Sequence, residues 1–332
     1  MERLHIAVLM GGPSAEREVS MRSGKAVVKA LTEAGASVIP IDVRDHEVNL
    51  PSHVEAVFIA LHGTFGEDGQ LQAILEERGI PYTGSGVEAS ALAFDKARAK
   101  KAFTAAGIPT PRYEIVDILH RVPGWLDHME FPIVVKPARQ GSSVGVQIVR
   151  EPGQLEAACL EAWRYDDRLV VEQFIAGREL TVGIFDDRTL PVIEIRSRQE
   201  IWTYEAKYTP GQTDYLVPAP LDSIEAARAQ FLAMRAHECL GCRDYSRVDI
   251  MLAHNGEMSV LEVNTIPGFT ETSLVPKAAR AASLSFQTLC VRLVEMALAR
   301  PRTRAGAVAA PGFVNGAGPL PAASSLVEAA AS

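Results

Sequence analysis

Two segments, RVDIMLA and EMSVLEVN, alternate polar and apolar residues on either side of Asn255-Gly256, and they carry Arg247, Asp249, Glu262 and Asn264. Asn-Gly is a favoured pair for a two-residue hairpin turn. Counting outward from that turn places Asp249 opposite Glu262 and Arg247 opposite Asn264. Because side chains alternate between the faces of a strand, these four residues share one face. The other face carries apolar residues that are expected to pack in the core, namely Val248, Ile250, Leu261 and Val263.

Directly opposed carboxylates repel each other, so the pairing of Asp249 with Glu262 favours a cation between them. Oxygen ligands select a hard ion such as Mg²⁺, which completes its coordination with water and phosphate oxygens. The alternative, which is the better one for an isolated hairpin, is a solvated face with an ion pair between Arg247 and Asp249. A candidate phosphate-binding segment elsewhere in the chain favours the metal site over the solvated ion pair.

The segment FPIVVKPARQGSSVGV reads as a strand, a loop with two glycines and two serines, and a returning strand. Such a loop can turn backbone N–H groups toward an anion. It lacks the Gly-x-Lys-Ser pattern of a Walker A loop, and Lys136 precedes the loop at the end of an apolar strand. A lysine there needs a negative partner, which ATP phosphates would supply. Lys96 is a second candidate, with a solvated helical lysine as its alternative.

Two carboxylates, Glu172 and Glu179, flank a glycine hinge in the segment EQFIAGRE. A carboxylate beside an apolar hinge suits the amino group of adenine and the hydroxyls of ribose. Equally, it could cap a turn.

The elements that must position these groups follow from hydrophobic periodicity. Apolar runs at 5–10, 37–43 and 56–61 alternate with helical patterns at 16–31 and 70–77, which predicts a Rossmann-like parallel α/β domain over residues 1–100. A further helix is predicted over 88–106, before a proline connector at 108–111 that excludes helix.

Beyond the connector, the pattern predicts an α+β unit over 101–182 and a second one over 183–300. The first has strands at 133–136, 146–150 and 168–173 with a helix at 154–165, and the second closes with a helix at 286–298. Residues 301–332, rich in Ala, Gly and Pro without periodicity, are predicted to be a disordered tail with no catalytic role.

Composition narrows the functional classes. The chain has 332 residues, 41 acids against 33 bases and a net charge of -8, which argues against nucleic-acid binding because that function relies on a clustered basic face. No stretch approaches the roughly 20 apolar residues that span a bilayer, and the start runs into a strand, so a cytoplasmic protein is expected. Four scattered cysteines do not form a disulfide framework. Cys239 and Cys242 lack a second pair, so buried thiols are favoured over a zinc or redox site.

Eight segments occur in an order that resembles the D-alanine:D-alanine ligases of the ATP-grasp superfamily, from about residue 4 to residue 298. They are GGPSAEREVS, ALHGTFGEDG, YTGSGVEASALAFDK, VVKPARQGSSVG, VEQFIAGRELTV, YEAKYTPG, SRVDIM and LEVNTIPGFTETSLVPKAA. A colinear run of this kind is far more specific than a single glycine loop. The resemblance implies a two-lobed ATP-grasp fold after the first domain, and a homodimeric enzyme of peptidoglycan synthesis that uses D-alanine and ATP.

The resemblance also implies roles for individual residues. ATP would contact Lys96, Lys136, Ser142, Ser143, Glu172, Glu179 and Lys207. Two Mg²⁺ ions, for which Mn²⁺ can substitute, would be held by Asp249, Glu262 and Asn264. The ammonium of the first D-alanine would meet Glu16, which would form a hydrogen-bonded set with Ser142 and Tyr208 in a mobile loop at 204–211.

Two further groups of residues follow from the resemblance. The developing oxyanion would be steadied by Arg247 and the backbone N–H of Gly268, and the second carboxylate would be received by Ser273 and Leu274. His62 would either approach the first substrate or fill a turn after a strand. The sequence departs from the family pattern at Pro13, at Gln140 and at 201–203, the last of which affects the approach to the mobile loop.

The implied reaction is attack of the first D-alanine carboxylate on the γ-phosphate of ATP, followed by displacement of the acyl phosphate by the second amine. One alternative is a relative that makes D-alanyl-D-lactate, or another ATP-grasp carboxylate-amine ligase. Tyr208 opposes the former, which the family associates with a different residue, often His, at that place. The other alternative is a nucleotide-binding regulator without turnover, which has no use for Arg247 as an oxyanion stabiliser.

Overall fold

The structure is a computed structural model that describes residues 4–117, 129–197 and 211–300. In these ranges the chain forms a parallel sheet of three strands, an antiparallel sheet of four and a larger sheet of six, with helices packed between and around them. The parallel sheet comes first in the chain, as the α/β pattern predicts. The predicted tail at 301–332 and most of the predicted loop at 204–211 lie outside the described residues.

The parallel sheet has the strand order β2-β1-β3, with β1 at His5–Gly11, β2 at Ser37–Val43 and β3 at Ala56–Ile59. Helix α1 (Arg17–Glu33) follows β1, and α2 (Gln70–Glu77) follows β3. The central strand β1 is covered on both faces, which explains its continuous apolar sequence. One face packs with residues from the six-stranded sheet and its helices, so the first domain and that sheet share a core.

Two helices occupy the stretch predicted as one helix over 88–106. Helix α3 (Val87–Phe94) ends at Asp95, whose backbone is extended, and α4 (Lys96–Ala105) begins after it. The carboxylate of Asp95 accepts a hydrogen bond from the N–H of Arg98 and so caps α4. The prediction of one helix was wrong because a capping residue interrupts a run of residues rich in helix formers. The break makes Lys96 the first residue of α4.

The four-stranded sheet, hereafter the small lobe, has the order β4-β7-β5-β6 and is antiparallel throughout. Its strands are β4 (Tyr113–Asp117), β5 (Ile133–Pro137), β6 (Gln147–Val149) and β7 (Arg168–Gln173). A short 3-10 helix (Pro152–Gln154) and α5 (Leu155–Ala162) cover one face. Strand β4 was not predicted.

The six-stranded sheet, hereafter the large lobe, has the order β11-β10-β8-β12-β13, with β9 beside β8. Its strands are β8 (Gly177–Phe185), β9 (Arg188–Thr189), β10 (Ile193–Ser197), β11 (Thr213–Leu216), β12 (Tyr245–Ala253) and β13 (Met258–Asn264). Its helices are α6 (Ser223–Cys239), α7 (Leu274–Ala281) and α8 (Phe286–Ala299). The boundary predicted at residue 182 falls inside β8, so the lobes meet instead at the hinge before Gly177.

In the described part of the chain no single helix has the length and apolar composition of a membrane span, although α7 and α8, which meet at an angle of 105°, pass that test as a bent pair.

The hairpin of β12 and β13 pairs Arg247 with Asn264 and Asp249 with Glu262, as predicted. Near the turn the register differs, because the N–H of Gly256 donates to Ala253 and the loop contains three residues instead of two. A bulge at Leu261 restores the predicted pairing. The bulge also moves Leu261 out of the apolar core, where it was expected, and into the wall of a cleft.

We expect Gly256→Ala to lower the melting temperature by a few degrees. Gly256 has φ +84°, and no atom lies within 4 Å of an added Cβ, so the cost of about 1–2 kcal/mol is backbone strain alone. Gly153→Ala is the matched control, since its Cβ also meets no atom within 4 Å and its backbone lies outside the left-handed region. Equal losses in the two variants, measured by thermal unfolding, would contradict this account of the turn.

Candidate active site

Two cavities meet at Gly141 and Ser142, in the loop between β5 and β6. The first, about 530 Å³, lies between the small and large lobes and is called here the interlobe cleft. The second, about 310 Å³, lies between the first domain and the large lobe and is called the N-domain pocket. Their shared wall is the feature that allows a ligand in one cavity to touch a ligand in the other.

The interlobe cleft is lined by six of the residues predicted to contact ATP, which are Lys96, Lys136, Ser142, Ser143, Glu172 and Glu179. The seventh, Lys207, lies outside the described residues. The backbone of Ser142, Ser143 and Gly145 is left-handed, with φ of 49°, 59° and 71°. Tight turns of this kind bring successive N–H groups together and form anion-binding concavities.

Lys136 and Glu172 form a buried ion pair across neighbouring strands β5 and β7. The sequence predicted phosphate as the partner of Lys136, whereas the structure places a carboxylate there. Glu172 has a second cation, since the ammonium of Lys100 lies 2.6 Å from its Oε2. Burial raises the pKa of Glu172, but the two ammonium groups outweigh burial and hold it below its ordinary value.

Sequence reasoning missed Lys100 and Glu194. Lys100 stands one turn after Lys96 on α4, a spacing that puts both on one face and could have indicated it. Glu194 lines the interlobe cleft and is bound by Arg178 and Arg196 at 2.7 and 2.8 Å. These partners come from β8 and β10, and nothing in the local sequence pattern marks the cluster.

Lys96 lies between the glycine-serine loop and the hairpin. Its ammonium donates to the carbonyl of Gln140 at 2.6 Å and lies 3.2 Å from Glu262 Oε2. On the same hairpin, Asp249 accepts two hydrogen bonds from Arg247, at 2.9 and 2.7 Å, and one from Thr181 at 2.7 Å. The carboxylates of Asp249 and Glu262 were expected to repel each other unless a metal ion lay between them. The structure differs, because each carboxylate already has a cationic side chain beside it.

The three predicted metal ligands lie together. Asn264 donates through Nδ2 to Asp249 at 3.2 Å, so the oxygen of the amide is the atom it can offer to a cation. In the described ranges no cluster of three His, Cys, Asp or Glu side chains is arranged to hold a metal by itself. Two carboxylates and one amide fit Mg²⁺ bound jointly with phosphate oxygens, because that ion uses few protein ligands.

The N-domain pocket is lined by all the described residues predicted to contact amino-acid substrate or to act in catalysis, namely Glu16, His62, Ser142, Arg247, Gly268, Ser273 and Leu274. Tyr208 lies outside the described residues. Ser142 donates a hydrogen bond to Glu16, which joins the glycine-serine loop to the start of α1. A Cβ at Gly141 would lie 2.5 Å from Glu16 Oε2, so this approach requires glycine.

His62 is 3% exposed, and both of its ring nitrogens are engaged. Nδ1 donates to the carbonyl of Ile266 at 2.8 Å, and Nε2 lies 3.0 Å from the hydroxyl of Ser23. Since Ser23 already accepts the N–H of Phe269, its hydroxyl proton points to Nε2. Burial lowers the pKa of His62. The ring is therefore a neutral wall of the pocket that orients loop 266–269.

Glu67, which sequence reasoning also missed, lines the same pocket. Its carboxyl accepts the N–H groups of Gly63 at 2.7 Å and Ile266 at 3.3 Å. Burial, and then the neighbouring charge of Glu16, raise the pKa of Glu67 to about 8. At neutral pH Glu67 is a neutral acid, which leaves the negative charge of the pocket to Glu16. Its position in the motif HGTFGED, after β3, could have indicated it.

Ser273 precedes α7 and has the extended backbone of an N-cap residue. Its hydroxyl accepts the N–H of Thr270 at 3.0 Å instead of capping α7. The N–H groups that open α7 therefore remain at the edge of the pocket, where a carboxylate is favoured.

A first domain with a parallel sheet, followed by two lobes that hold lysines and carboxylates across a cleft, defines an ATP-dependent ligase of the ATP-grasp type. The chain belongs to the D-alanine-D-alanine ligase family. The family model "D-ala D-ala ligase C-terminus" matches residues 103–295, and "D-ala D-ala ligase N-terminus" matches residues 43–85.

Relatives and solved structures agree with this assignment. The chain is 50% identical to the D-alanine-D-alanine ligase of Syntrophotalea carbinolica and 45% identical to that of Methylacidiphilum infernorum, in each case over 89% of this chain and 96% of the relative. The D-alanine-D-alanine ligase of Bacillus anthracis complexed with ATP superimposes with a TM-score of 0.80 at 32% identity, over 89% of this chain and 97% of that one. VanG D-Ala:D-Ser ligase of Enterococcus faecalis gives the same TM-score at 31% identity, over 89% and 100%.

We expect the stability of Glu67→Gln relative to wild type to increase as pH rises from about 5 to 8. The folded protein retains a proton on Glu67 up to its pKa of about 8, whereas the unfolded chain loses it near the ordinary value of 4.5. Glu67 therefore stabilises the wild type fully at low pH, and that contribution is lost as pH rises through 8. The variant lacks this dependence. Melting temperatures over this range test it, with the exposed Glu77→Gln as control; parallel curves for Glu67→Gln and wild type would refute it.

Proposed function

We propose that this protein joins two D-alanine molecules into D-alanyl-D-alanine for peptidoglycan precursors, with ATP converted to ADP and phosphate. The observation that carries the proposal is the hydrogen bond of Ser142 to Glu16, which brings a phosphate loop into contact with a carboxylate suited to an amino-acid ammonium. The relatives that share 45–50% of their residues with most of this chain carry the name D-alanine-D-alanine ligase.

In the proposed reaction, Glu16 binds the ammonium of the first D-alanine and so directs its carboxylate toward the shared wall of the two cavities. A carboxylate oxygen attacks the γ-phosphorus of ATP, the bond to the β-γ bridging oxygen breaks, and ADP leaves. The second amine, after losing a proton, attacks the acyl phosphate carbon and displaces phosphate. Lys96 and Lys136 offset the charge of the phosphates, so the protein acts mainly by position and electrostatics.

Arg247 and the N–H of Gly268 are proposed to stabilise the oxyanion that forms in the second step. Asp249 orients the guanidinium of Arg247 through two hydrogen bonds. The N-terminus of α7, with Ser273 and Leu274, is proposed to receive the second carboxylate. The neutral state of Glu67 supports binding of one ammonium group, because two ionised carboxylates would hold a second cation as well.

We propose that Asp249, Glu262 and Asn264 hold Mg²⁺, or Mn²⁺ in its place, together with phosphate oxygens. The metal would neutralise charge on the phosphates and polarise the γ-phosphoryl group. Asp249 and Glu262 line the interlobe cleft, Glu262 lies beside Lys96, and Asn264 lines the adjoining N-domain pocket, which supports this role. A homodimer, a cytoplasmic location and a tail without a catalytic role are proposed from the sequence resemblance and composition.

The decisive substrate test measures phosphate release with ATP and D-alanine, L-alanine, D-serine or D-lactate. We expect D-alanine to exceed L-alanine by at least about tenfold, since with the ammonium at Glu16 and the carboxylate at the shared wall the two enantiomers place the methyl group in different positions. The product should be D-alanyl-D-alanine by mass spectrometry. A preference for D-lactate or D-serine as the second substrate would identify a different ligase of the same fold.

Glu262→Gln should reduce turnover by roughly a hundredfold or more at millimolar Mg²⁺, because loss of several kcal/mol of charge stabilisation corresponds to at least that factor. The dependence of rate on Mg²⁺ concentration should shift to higher values. Glu257→Gln, an exposed position on the same hairpin, is the control and should match wild type. Near-wild-type turnover and Mg²⁺ dependence in Glu262→Gln would exclude this metal site.

A further inference from the structure

Lys100 is a fully buried lysine for which the proposed reaction has no role. Its ammonium lies 2.6 Å from Glu172 Oε2 and donates to the hydroxyl of Thr110 at 2.8 Å. It is absent from the lining of the interlobe cleft, whereas Lys136 and Glu172 line it. Lys100 therefore lies on the side of Glu172 that faces away from the cleft, and it can affect the cleft only through Glu172. Burial of a charged lysine costs free energy, so its ammonium requires a negatively charged partner.

The charges of this cluster do not cancel. Glu172 has one negative charge, and its two oxygens face two ammonium groups, Lys136 on the cleft side and Lys100 on the protein side. The cluster has one positive charge in excess, and Lys136 is its member at the cleft surface. Without Lys100, the remaining pair would be neutral, and Lys136 would be held to Glu172 as its single counterion.

Lys100 also connects the two lobes. The hydroxyl of Thr110, which accepts from Lys100, donates to the carbonyl of Val260 in β13 at 2.8 Å. The N–H of Val260 in turn donates to the carbonyl of Pro109 at 2.8 Å. This path runs from Glu172 on the small lobe to a strand of the large lobe, two residues before Glu262. The ammonium of Lys100 is therefore held by Glu172 of the small lobe directly and is linked to the large lobe through Thr110.

We propose that Lys100 is a positioning residue for nucleotide binding, which neutralises Glu172 from behind and leaves the positive charge of Lys136 available to a polyphosphate in the cleft. The proposal rests on the proposed function, because that function supplies ATP as the polyphosphate. It differs from the roles of Lys96 and Lys136, which line the cleft, since Lys100 contacts no ligand and acts through Glu172.

The charge state of Lys100 provides an independent observable. Burial lowers the pKa of Lys100 to about 8, against the opposing effect of Glu172. The other groups that face it are Lys136, which lowers the pKa further, Glu262, which raises it, and the ring of Tyr113, whose centroid is 5.4 Å away. Lys100 is charged at neutral pH and loses its charge as pH rises past about 8. ATP affinity of the wild type should fall over the same interval.

The primary experiment measures the dissociation constant of ATP with Mg²⁺ by isothermal titration calorimetry, without D-alanine, on the full chain. Lys100→Met should weaken ATP binding by about tenfold, the scale expected for one unit charge acting at this range. The KM for D-alanine should change by less than about twofold, because a Lys100 defect leaves the N-domain pocket intact. Lys101→Met, at an exposed position on the same helix, is the matched control and should bind ATP as wild type does.

A second comparison, made in a Glu172→Gln variant, separates charge compensation by Lys100 from a purely structural role. In Glu172→Gln the charge that Lys100 neutralises is absent, so adding Lys100→Met should weaken ATP binding by less than about threefold. An equal loss in both backgrounds would overturn the proposal, as would unchanged ATP binding in Lys100→Met or an equal rise in the KM for D-alanine. If Lys100→Met does not fold, wild-type affinity that stays constant from pH 7 to 9.5 overturns it. Wild type that makes no dipeptide would instead refute the proposed function.

Discussion

The hydrogen bond between Ser142 and Glu16 is the interaction on which the two-cavity arrangement depends. It joins a loop of the small lobe to the start of α1 in the first domain, and the large lobe closes both cavities from the other side. Gly141 and Gly63 allow it, since a Cβ at either position would lie within 2.8 Å of Glu16. A phosphoryl donor in the interlobe cleft and an amino acid in the N-domain pocket can meet only if this loop and the start of α1 approach each other so closely. The rest of the fold serves to bring that loop and that helix start together.

Paired charge is the second principle of the site. Asp249 is paired with Arg247, Glu262 with Lys96, and Glu172 with two lysines. A buried carboxylate without a partner is costly, so these pairs keep the site formed before any ligand arrives. The same pairs determine which charged groups remain uncompensated and available to a ligand. The cluster of Glu172 with Lys100 and Lys136 has one positive charge in excess, with Lys136 at the cleft surface, and the raised pKa of Glu67 limits the negative charge beside Glu16.

Local pattern predicted most of the elements, and it failed where a long-range or single-residue effect decided the outcome. The predicted face of the hairpin was correct because strand alternation is local, but the predicted turn was wrong and a bulge at Leu261 compensated for it. A capped break at Asp95 divided a predicted helix. The boundary predicted at 182 fell within a strand that belongs wholly to the large lobe.

The sequence by itself determined the family, through eight motifs in order, and the chemical types at the site: lysines near a glycine-serine loop, opposed carboxylates on a hairpin, and a glutamate after the first strand. Those properties are encoded in residue identity and short spacing. Only the tertiary structure decided which cation accompanies each carboxylate, that His62 is neutral and fully bonded, that Glu194 lines the cleft, and that Lys100 lies behind Glu172. Partners of a buried charge come from strands and helices distant in sequence, and the energy of each pair depends on their approach and on the water that folding excludes.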